Sequence, residues 1–177
     1  PKDARDVSSV VRYVHEARMR GERIALAPRS AGTDMTGGPL TDSIVLSFTP
    51  HRNKVLEVTG EHVSAEPGIF YRNLEKETLG KSGRLIPSYP ASRELCALGG
   101  MIGNNSCGVH ALMAGKTVDN IEALKILLYD GTQLTVGATS DKELTRIIAR
   151  GGREGEIYGG LLRIRDTHGR KALAGFG

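Results

Sequence analysis

A glycine-rich stretch between two apolar runs holds the residues best suited to bind an anion. It extends from Leu26 to Gly38 and contains three glycines. Glycine tolerates positive φ and lets a ligand approach the backbone, so N–H groups of such a loop can converge on a negative charge. Arg29 can add a positive charge, and hydroxyl donors are available at Ser30, Thr33 and Thr36. An ordinary surface loop is the alternative interpretation of this stretch alone.

A second glycine-rich segment lies at residues 99–108, after a proline-containing entry at residues 87–92. Asparagine is among the few non-glycine residues that adopt the left-handed region readily. Asn104 and Asn105 therefore predict further anion-facing concavities, with a helix-to-loop junction packed against a sheet as the structural alternative. The first stretch, residues 26–38, has neither the Gly-Lys-Ser/Thr ending of a Walker loop nor the G-x-G-x-x-G opening of a Rossmann helix.

Composition limits the classes of function. Apolar residues make up 39% of the chain, which predicts a soluble globular protein with a packed core. The net charge of +4 suits an anionic ligand, but 5% aromatic residues and no basic stripe argue against nucleic-acid binding. Cys96 and Cys107 have no metal-ligand or disulfide spacing, so we expect free thiols, with Cys107 a small buried filler. No membrane span or signal peptide is expected, and the opening Pro1 suggests a piece of a longer protein.

The elements that would position these segments follow from periodicity and from capping residues. The loop lies between expected strands at 24–27 and 44–48, and a helix over 7–20, capped by Asp6, precedes them. Asp130-Gly131 predicts a type I′ turn between two further strands. The remaining expected elements are a hairpin at 55–58 and 62–65, a helix over 70–79 ending at Gly80, strands at 120–129 and 133–136, and helices over 142–149 and 154–167.

Four blocks, in this order, resemble the FAD-linked oxidases of the vanillyl-alcohol-oxidase and p-cresol-methylhydroxylase type. Residues 28–38, Pro-Arg-Ser-Ala-Gly-Thr and the later Gly-Gly, resemble the pyrophosphate loop of that family. Residues 65–68, Ala-Glu-Pro-Gly, are similar to its A-x-P-G turn, and residues 87–92 with 99–108 to its second FAD-contacting segment. Residues 115–120 and the Asp-Gly hairpin are similar to the block that follows.

The resemblance implies a set of FAD-contacting residues in three of these blocks. Covalent attachment would need a histidine after the loop glycine, where this chain has Thr33, so the resemblance implies non-covalent FAD. No catalytic residue can be assigned, because the family's cap domain is not in this sequence, and no metal site is expected. The implied contacts are Pro28, Arg29, Ser30, Ala31, Gly32, Thr33, Asp34, Gly37, Gly38, Pro67, Gly68, Pro90, Ala91, Ser92, Gly99, Gly100, Asn104, Asn105, Ser106 and Gly108.

The fold implied is α+β, the two-subdomain FAD-binding domain of the p-cresol-methylhydroxylase type, incomplete at its C-terminus. Residues 1–57 would form a small α/β subdomain and residues 58–177 a larger, truncated α+β subdomain, with FAD between them. The chain looks most like the D-lactate, glycolate and 2-hydroxyglutarate dehydrogenase branch, so the implied substrate of the full-length protein is a small 2-hydroxy acid, with an unknown electron acceptor. The expected location is cytoplasmic, or peripheral to the inner face of the membrane.

Two other functions are compatible with the same residues. One is another enzyme on the same FAD fold, such as the UDP-sugar enolpyruvyl reductase type. The other is a non-catalytic nucleotide-binding module. We also expect these 177 residues in isolation to hold FAD weakly and to be inactive.

Overall fold

The protein is described by a computed structural model covering residues 1–175, and its fold is α+β, as predicted. The described chain forms two compact units, one of residues 1–121 with 129–131 and one of residues 122–128 with 132 onward. The predicted division after residue 57 stays a prediction. The helices are α1 Ala4–Met19, α2 Tyr71–Ser82, α3 Leu98–Asn104, α4 Ala111–Ala114, α5 Asp141–Arg150 and α6 Gly152–Gly175, with a 3₁₀ turn at Thr117–Asn120. The strands are β1 Leu26–Arg29, β2 Ile44–Ser47, β3 Val55–Val58, β4 Val63–Ala65, β5 Ala123–Leu127 and β6 Gln133–Gly137.

Helix α1 begins earlier than the sequence predicts. Its N-cap is Asp3, whose carboxylate accepts hydrogen bonds from Arg5 N at 2.7 Å and Asp6 N at 3.1 Å. The predicted cap, Asp6, lies in the first turn, where its negative charge is favourable at the positive end of the helix dipole. The helix predicted over 7–20 is present, and Val14 and Ala17 are buried on one face of it.

Strands β1 and β2 pair in parallel, with Leu26 opposite Ile44 and Arg29 opposite Ser47. The first strand lies two residues later than predicted, because Ile24 belongs to the connection from α1, where its N–H donates to Glu22 O at 3.1 Å. The later start brings Arg29 to the end of β1. The glycine loop therefore leaves the sheet directly at Ser30 and returns to the opposite end of the pair.

The hairpin of β3 and β4 is confirmed, with Val58 opposite Val63 in an antiparallel pair. Helix α2, however, continues through Gly80, where the sequence predicts a stop. It ends at Gly83, which has φ 69° and closes the helix with its N–H on Leu79 O at 3.0 Å. A glycine inside a helix costs about 1 kcal/mol relative to alanine, which is too little to end a helix whose Tyr71 and Leu74 are buried.

A small core joins α2, α3 and the proline-containing segment. Tyr71, Cys96 and Met101 are buried together, and Ile86 and Tyr89 pack against them. The Tyr71 hydroxyl donates to Ile86 O at 2.5 Å, and burial raises the pKa of Tyr71. This core therefore fixes the start of the second glycine-rich segment through Met101.

In the second unit β5 and β6 form the predicted antiparallel hairpin, with Leu127 opposite Gln133. The prediction of a type I′ turn at Asp130-Gly131 is wrong. Leu128 N donates to Thr132 O at 2.9 Å, which leaves a loop of Tyr129, Asp130 and Gly131. Gly131 has φ 88°, but Asn105 is the only non-glycine residue with positive φ among residues 1–175, so Asp130 lacks the conformation that type I′ needs.

The two predicted C-terminal helices are both present, and each is longer than predicted. Helix α5 begins after its N-cap Ser140, whose hydroxyl oxygen accepts from Glu143 N at 3.3 Å. Helix α6 starts at Gly152 and is described as far as Gly175, beyond the predicted range of 154–167. No helix among the described residues is long and apolar enough to cross a membrane.

Candidate anion-binding site

The glycine loop of residues 30–38 contains two glycines with positive φ. Gly32 has φ 68° and Gly37 has φ 79°, so both adopt the left-handed region that the sequence predicts for them. Within residues 1–175, the backbone N–H groups of residues 30–35 donate to no acceptor. A run of unused donors at the end of a strand is suited to a negatively charged ligand.

Arg29 supplies a positive charge at the same loop. Its guanidinium lies against Gly32, and a Cβ at Gly32 would overlap the guanidinium nitrogens. Arg29 makes no ion pair or side-chain hydrogen bond with any other described residue. The loop therefore combines unused N–H donors with an unpaired cation.

Asp34 occupies the far side of the loop. Its carboxylate accepts hydrogen bonds from Thr36 N at 3.0 Å, from Thr36 Oγ1 at 2.8 Å and from Gly38 N at 2.9 Å. These hydrogen bonds, the one from Thr36 N first, stabilise the charged form and lower the pKa of Asp34. The N–H of Gly38, implied as a cofactor contact, is thus already used inside the loop.

Three of the blocks implied by the sequence meet at the Pro67 carbonyl. The Ser30 hydroxyl donates to Pro67 O at 2.8 Å, and Gly99 N donates to the same oxygen at 2.7 Å. A Cβ at Gly99 would lie 2.8 Å from Pro67, and one at Gly100 would lie 3.8 Å from Ser30 Cβ. The first loop and the start of α3, far apart in sequence, are therefore side by side. The N–H of Gly100 also has no acceptor among the described residues.

Gly68, implied as a FAD contact, has a structural role in the turn before α2. Its N–H donates to Arg52 O at 2.7 Å, and a Cβ would lie 2.6 Å from that oxygen and overlap Phe48 O. The neighbouring Glu66 is buried and forms an ion pair with Arg52 at 2.9 Å. The turn of residues 66–68 is thus fixed by packing, and this holds the Pro67 carbonyl in place.

The second glycine-rich segment forms hydrogen bonds within itself and with the 3₁₀ turn. Helix α3 ends at Asn105, which has φ 49° and accepts at Oδ1 from Val118 N at 3.0 Å. Asn104 Nδ2 donates to Ser106 Oγ at 3.0 Å. The segment thus contains a helix-to-loop junction, which was the structural alternative, and its left-handed residue is an asparagine, as its type suggests.

The carbonyl of Ser106 links this segment to the 3₁₀ turn. It accepts from Thr117 N at 2.9 Å and from Thr117 Oγ1 at 2.6 Å, and both residues are buried. Sequence reasoning noted the block at 115–120 but missed Thr117, because a buried threonine has no local signal. The hydroxyl of Ser88, also buried, donates to Gly115 O at 3.0 Å and ties the same block to the proline-containing segment.

The segment at residues 90–92 lies against Gly108. A Cβ at Gly108 would overlap Tyr89 O and lie 3.6 Å from Pro90 Cα. Ser92 O accepts from the N–H groups of Leu95 and Cys96, each at 2.8 Å, whereas Ala91 is exposed. The structure thus places Gly108 and the residues around Pro90 in contact.

The two cysteines differ from the prediction in one respect. Both are free, but Cys107 is exposed, and the prediction that it is a buried filler is wrong. Cys96 is the buried thiol, and burial raises its pKa. Cys107 lies between the internally bonded Ser106 and the closely packed Gly108, so the backbone leaves its side chain outside.

Short helix α4 follows the second segment and exposes apolar side chains. Val109, Leu112 and Met113 are 89%, 103% and 94% exposed.

Among the described residues, no group of three or more His, Cys, Asp or Glu side chains is placed to hold a metal ion. The polar chemistry of the site is therefore that of backbone N–H groups, hydroxyls and Arg29.

Two curated proteins similar to this chain are much longer than it. D-2-hydroxyglutarate dehydrogenase of Pseudomonas putida is 31% identical over 169 residues, which cover 94% of this chain and 16% of that protein. Glycolate oxidase subunit GlcD of Bacillus subtilis is 29% identical over 166 residues, covering 89% of this chain and 33% of that protein. The chain thus spans at most a third of the length of these curated relatives.

Among solved structures, an alkyldihydroxyacetonephosphate synthase matches with a TM-score of 0.63 and 24% identity, covering 78% of this chain and 24% of that one. This likeness concerns the fold. The family described as FAD binding domain matches residues 1–137, which include both glycine-rich segments and the Pro67 turn. Because that match covers well over half of the chain, the chain belongs to the FAD binding domain family.

Proposed function

We propose that the chain binds FAD without a covalent bond and holds its diphosphate at the loop of residues 29–35 and the start of α3. The observation that carries this proposal is the shared acceptor at Pro67. Because Ser30 Oγ and Gly99 N both donate to that carbonyl, the unused N–H groups of residues 30–35 and of Gly100 belong to one neighbourhood. A diphosphate carries negative charge over several oxygens and needs many donors at once.

The chain's own residues fit such a group. Gly32 has no side chain and lies against the guanidinium of Arg29, which forms no ion pair within residues 1–175. Thr33 replaces the histidine that a covalent bond would need, and its side chain is exposed. The direct ligands we propose are Arg29, Ser30, Ala31, Gly32, Thr33 and Gly100, with Pro28, Asp34, Gly37, Gly38, Pro67, Gly68, Pro90, Ala91, Ser92, Gly99, Asn104, Asn105, Ser106 and Gly108 shaping the site around them.

The activity we propose for the full-length protein is oxidation of a small 2-hydroxy acid. FAD held by these residues would supply the redox chemistry of that oxidation, which removes a hydride from the substrate α-carbon. The residues described here bind and orient the cofactor, and we assign none of them to proton transfer. Relatives named D-2-hydroxyglutarate dehydrogenase, glycolate oxidase subunit and D-lactate dehydrogenase support this substrate class. The free thiols of Cys96 and Cys107 favour a cytoplasmic location.

The proposal is tested by placing a side chain at Gly32, in the loop that we propose holds the diphosphate. Gly32→Val in the full-length protein forces a β-branched residue into positive φ and displaces Arg29, so we expect it to lose bound flavin. Absorbance of the purified protein near the flavin maximum gives the ratio of flavin to protein. Gly21→Val is the matched control, because Gly21 has φ 86°, lies outside the loop and has open space around it. Stoichiometric flavin in Gly32→Val would show that this loop does not hold the diphosphate.

A further inference from the structure

The carboxylate of Asp34 divides the glycine loop into two halves with different uses of their N–H groups. Residues 30–35 present N–H groups with no acceptor among the described residues. Thr36 N and Gly38 N instead donate to Asp34, at 3.0 Å and 2.9 Å. Asp34 therefore lies at the junction between an open half and a closed half of the loop.

The carboxylate of Asp34 accounts for the glycine at position 38. A Cβ at Gly38 would lie 2.8 Å from Asp34 Oδ2, which is closer than carbon and oxygen approach without a bond. Gly38 does not have positive φ, unlike Gly37, so backbone conformation does not require glycine there. The second glycine of the pair thus makes room for an internal anion.

We propose that Asp34 is a positioning residue for the anion cradle: by fixing Thr36 and Gly38 it holds the loop in the conformation that presents the N–H groups of residues 31–35. This rests on the proposed binding of FAD at the loop. A loop that is already ordered loses less conformational entropy when the ligand binds. The carboxylate repels a diphosphate, but the donors from Thr36 and Gly38 hold it on the closed half, and solvent screens its charge.

The main test compares FAD affinity in three variants of the full-length protein. Asp34→Ala removes every bond to Thr36 and Gly38, and we expect FAD affinity to fall by about tenfold, similar to the loss of a helix cap. In Asp34→Asn the amide oxygen can still accept from Thr36, but the NH₂ group cannot accept from Gly38, so an intermediate loss is expected. Asp42→Asn is the matched control, because it removes one exposed negative charge from the same connection and leaves affinity unchanged.

A second measurement tests the positioning itself without FAD. In ¹H–¹⁵N spectra of the apoprotein, the Gly38 amide should move upfield in Asp34→Ala and Asp34→Asn and stay in place in Asp42→Asn, because only the first two lose its acceptor. Unchanged FAD affinity in Asp34→Ala, or tighter binding caused by the loss of repulsion, would overturn the positioning role alone. A wild-type protein that binds no FAD would overturn the proposed function and this role with it.

Discussion

The two glycine-rich segments have similar composition and use glycine in opposite ways. In residues 30–38, Gly32 and Gly37 have positive φ and the backbone around Gly32 leaves its donors unused. In residues 99–108, no glycine has positive φ, and the left-handed residue is Asn105. Gly99 and Gly108 instead lie where a Cβ would meet the backbone of Pro67 and Tyr89. Glycine supplies a backbone conformation in the first segment and close packing in the second.

We therefore expect the first segment mainly to bind the ligand and the second mainly to support the fold. The first segment is exposed around Thr33 and Asp34 and owes its shape to hydrogen bonds within the loop. The second is tied to the core through Met101 and to the 3₁₀ turn through Ser106. Substitutions in the first segment should therefore change ligand affinity more than stability, and substitutions in the second should do the reverse.

Gly108→Ala should have the largest effect on stability. The new Cβ would overlap Tyr89 O, which belongs to the backbone and cannot move aside cheaply, so we expect a loss of about 3 kcal/mol in the free energy of unfolding. Chemical denaturation measures it. Gly103→Ala is the control in the same segment, because its Cβ meets nothing within 4 Å, and it should stabilise the protein slightly. Equal effects of the two substitutions would break the packing interpretation.

Gly37→Ala should cost about 1–2 kcal/mol, because alanine must adopt φ near 79°. Space is not the problem, since the nearest atom to a Cβ, Leu40 Cδ1, is 3.4 Å away. We expect FAD affinity to fall as well, and Gly37→Asn to be milder in both measurements, because asparagine tolerates the left-handed region. An asparagine variant as damaging as the alanine variant would show that conformation is not what position 37 requires.

Thr117→Val should cost about 1 kcal/mol, because it removes the hydroxyl that donates to Ser106 O but keeps the shape of the side chain. The Ser106 carbonyl keeps its bond from Thr117 N, which limits the loss. Thr117→Ser is the complementary variant, since it keeps the hydroxyl and loses only a buried methyl group. Flavin content should not change in either variant, and a loss of flavin would show that the bond between Thr117 and Ser106 supports the ligand site as well as the fold.

The smallest effect concerns the pH dependence of stability through Tyr71. Burial raises the pKa of Tyr71 above its usual value of 10.0, so the folded protein keeps this proton longer than the unfolded chain does. The stability this provides is complete below pH 10 and is lost as the pH rises above it. Tyr71→Phe should therefore show a shallower fall in the free energy of unfolding above pH 10. Tyr13→Phe, at an exposed tyrosine, controls for the loss of a phenol.

Local patterns predicted much of the fold. The periodicity of apolar residues predicted both hairpins and helix α5, and the structure contains all three. Two of the errors, at the start of α1 and the end of α2, lie where two residues compete for one role within a few positions. Asp3 and Asp6 are both good caps, and Gly80 and Gly83 are both possible stops. Propensity does not rank such neighbours, because tertiary packing decides between them.

The sequence predicted the residue types of the candidate site but not the contacts between residues far apart in the chain. Positive φ at Gly32 and Gly37 follows from the glycine spacing in the connection between β1 and β2. The bond between Ser30 and Pro67 joins residues 37 positions apart and has no local signal. The use of Gly38 by Asp34 is a short-range contact of a kind that Asp often makes, but family resemblance alone assigned that N–H to the ligand.

The carbonyl of Pro67 has a consequence for local unfolding. Because the Ser30 hydroxyl and the Gly99 amide share it as acceptor, opening of the loop loosens the turn after β4 and the first turn of α3 as well. A ligand that holds the loop shifts all these opening equilibria in the same direction by mass action. Hydrogen exchange at the Gly99 amide should therefore slow when the loop is occupied, although Gly99 belongs to a different segment of the chain.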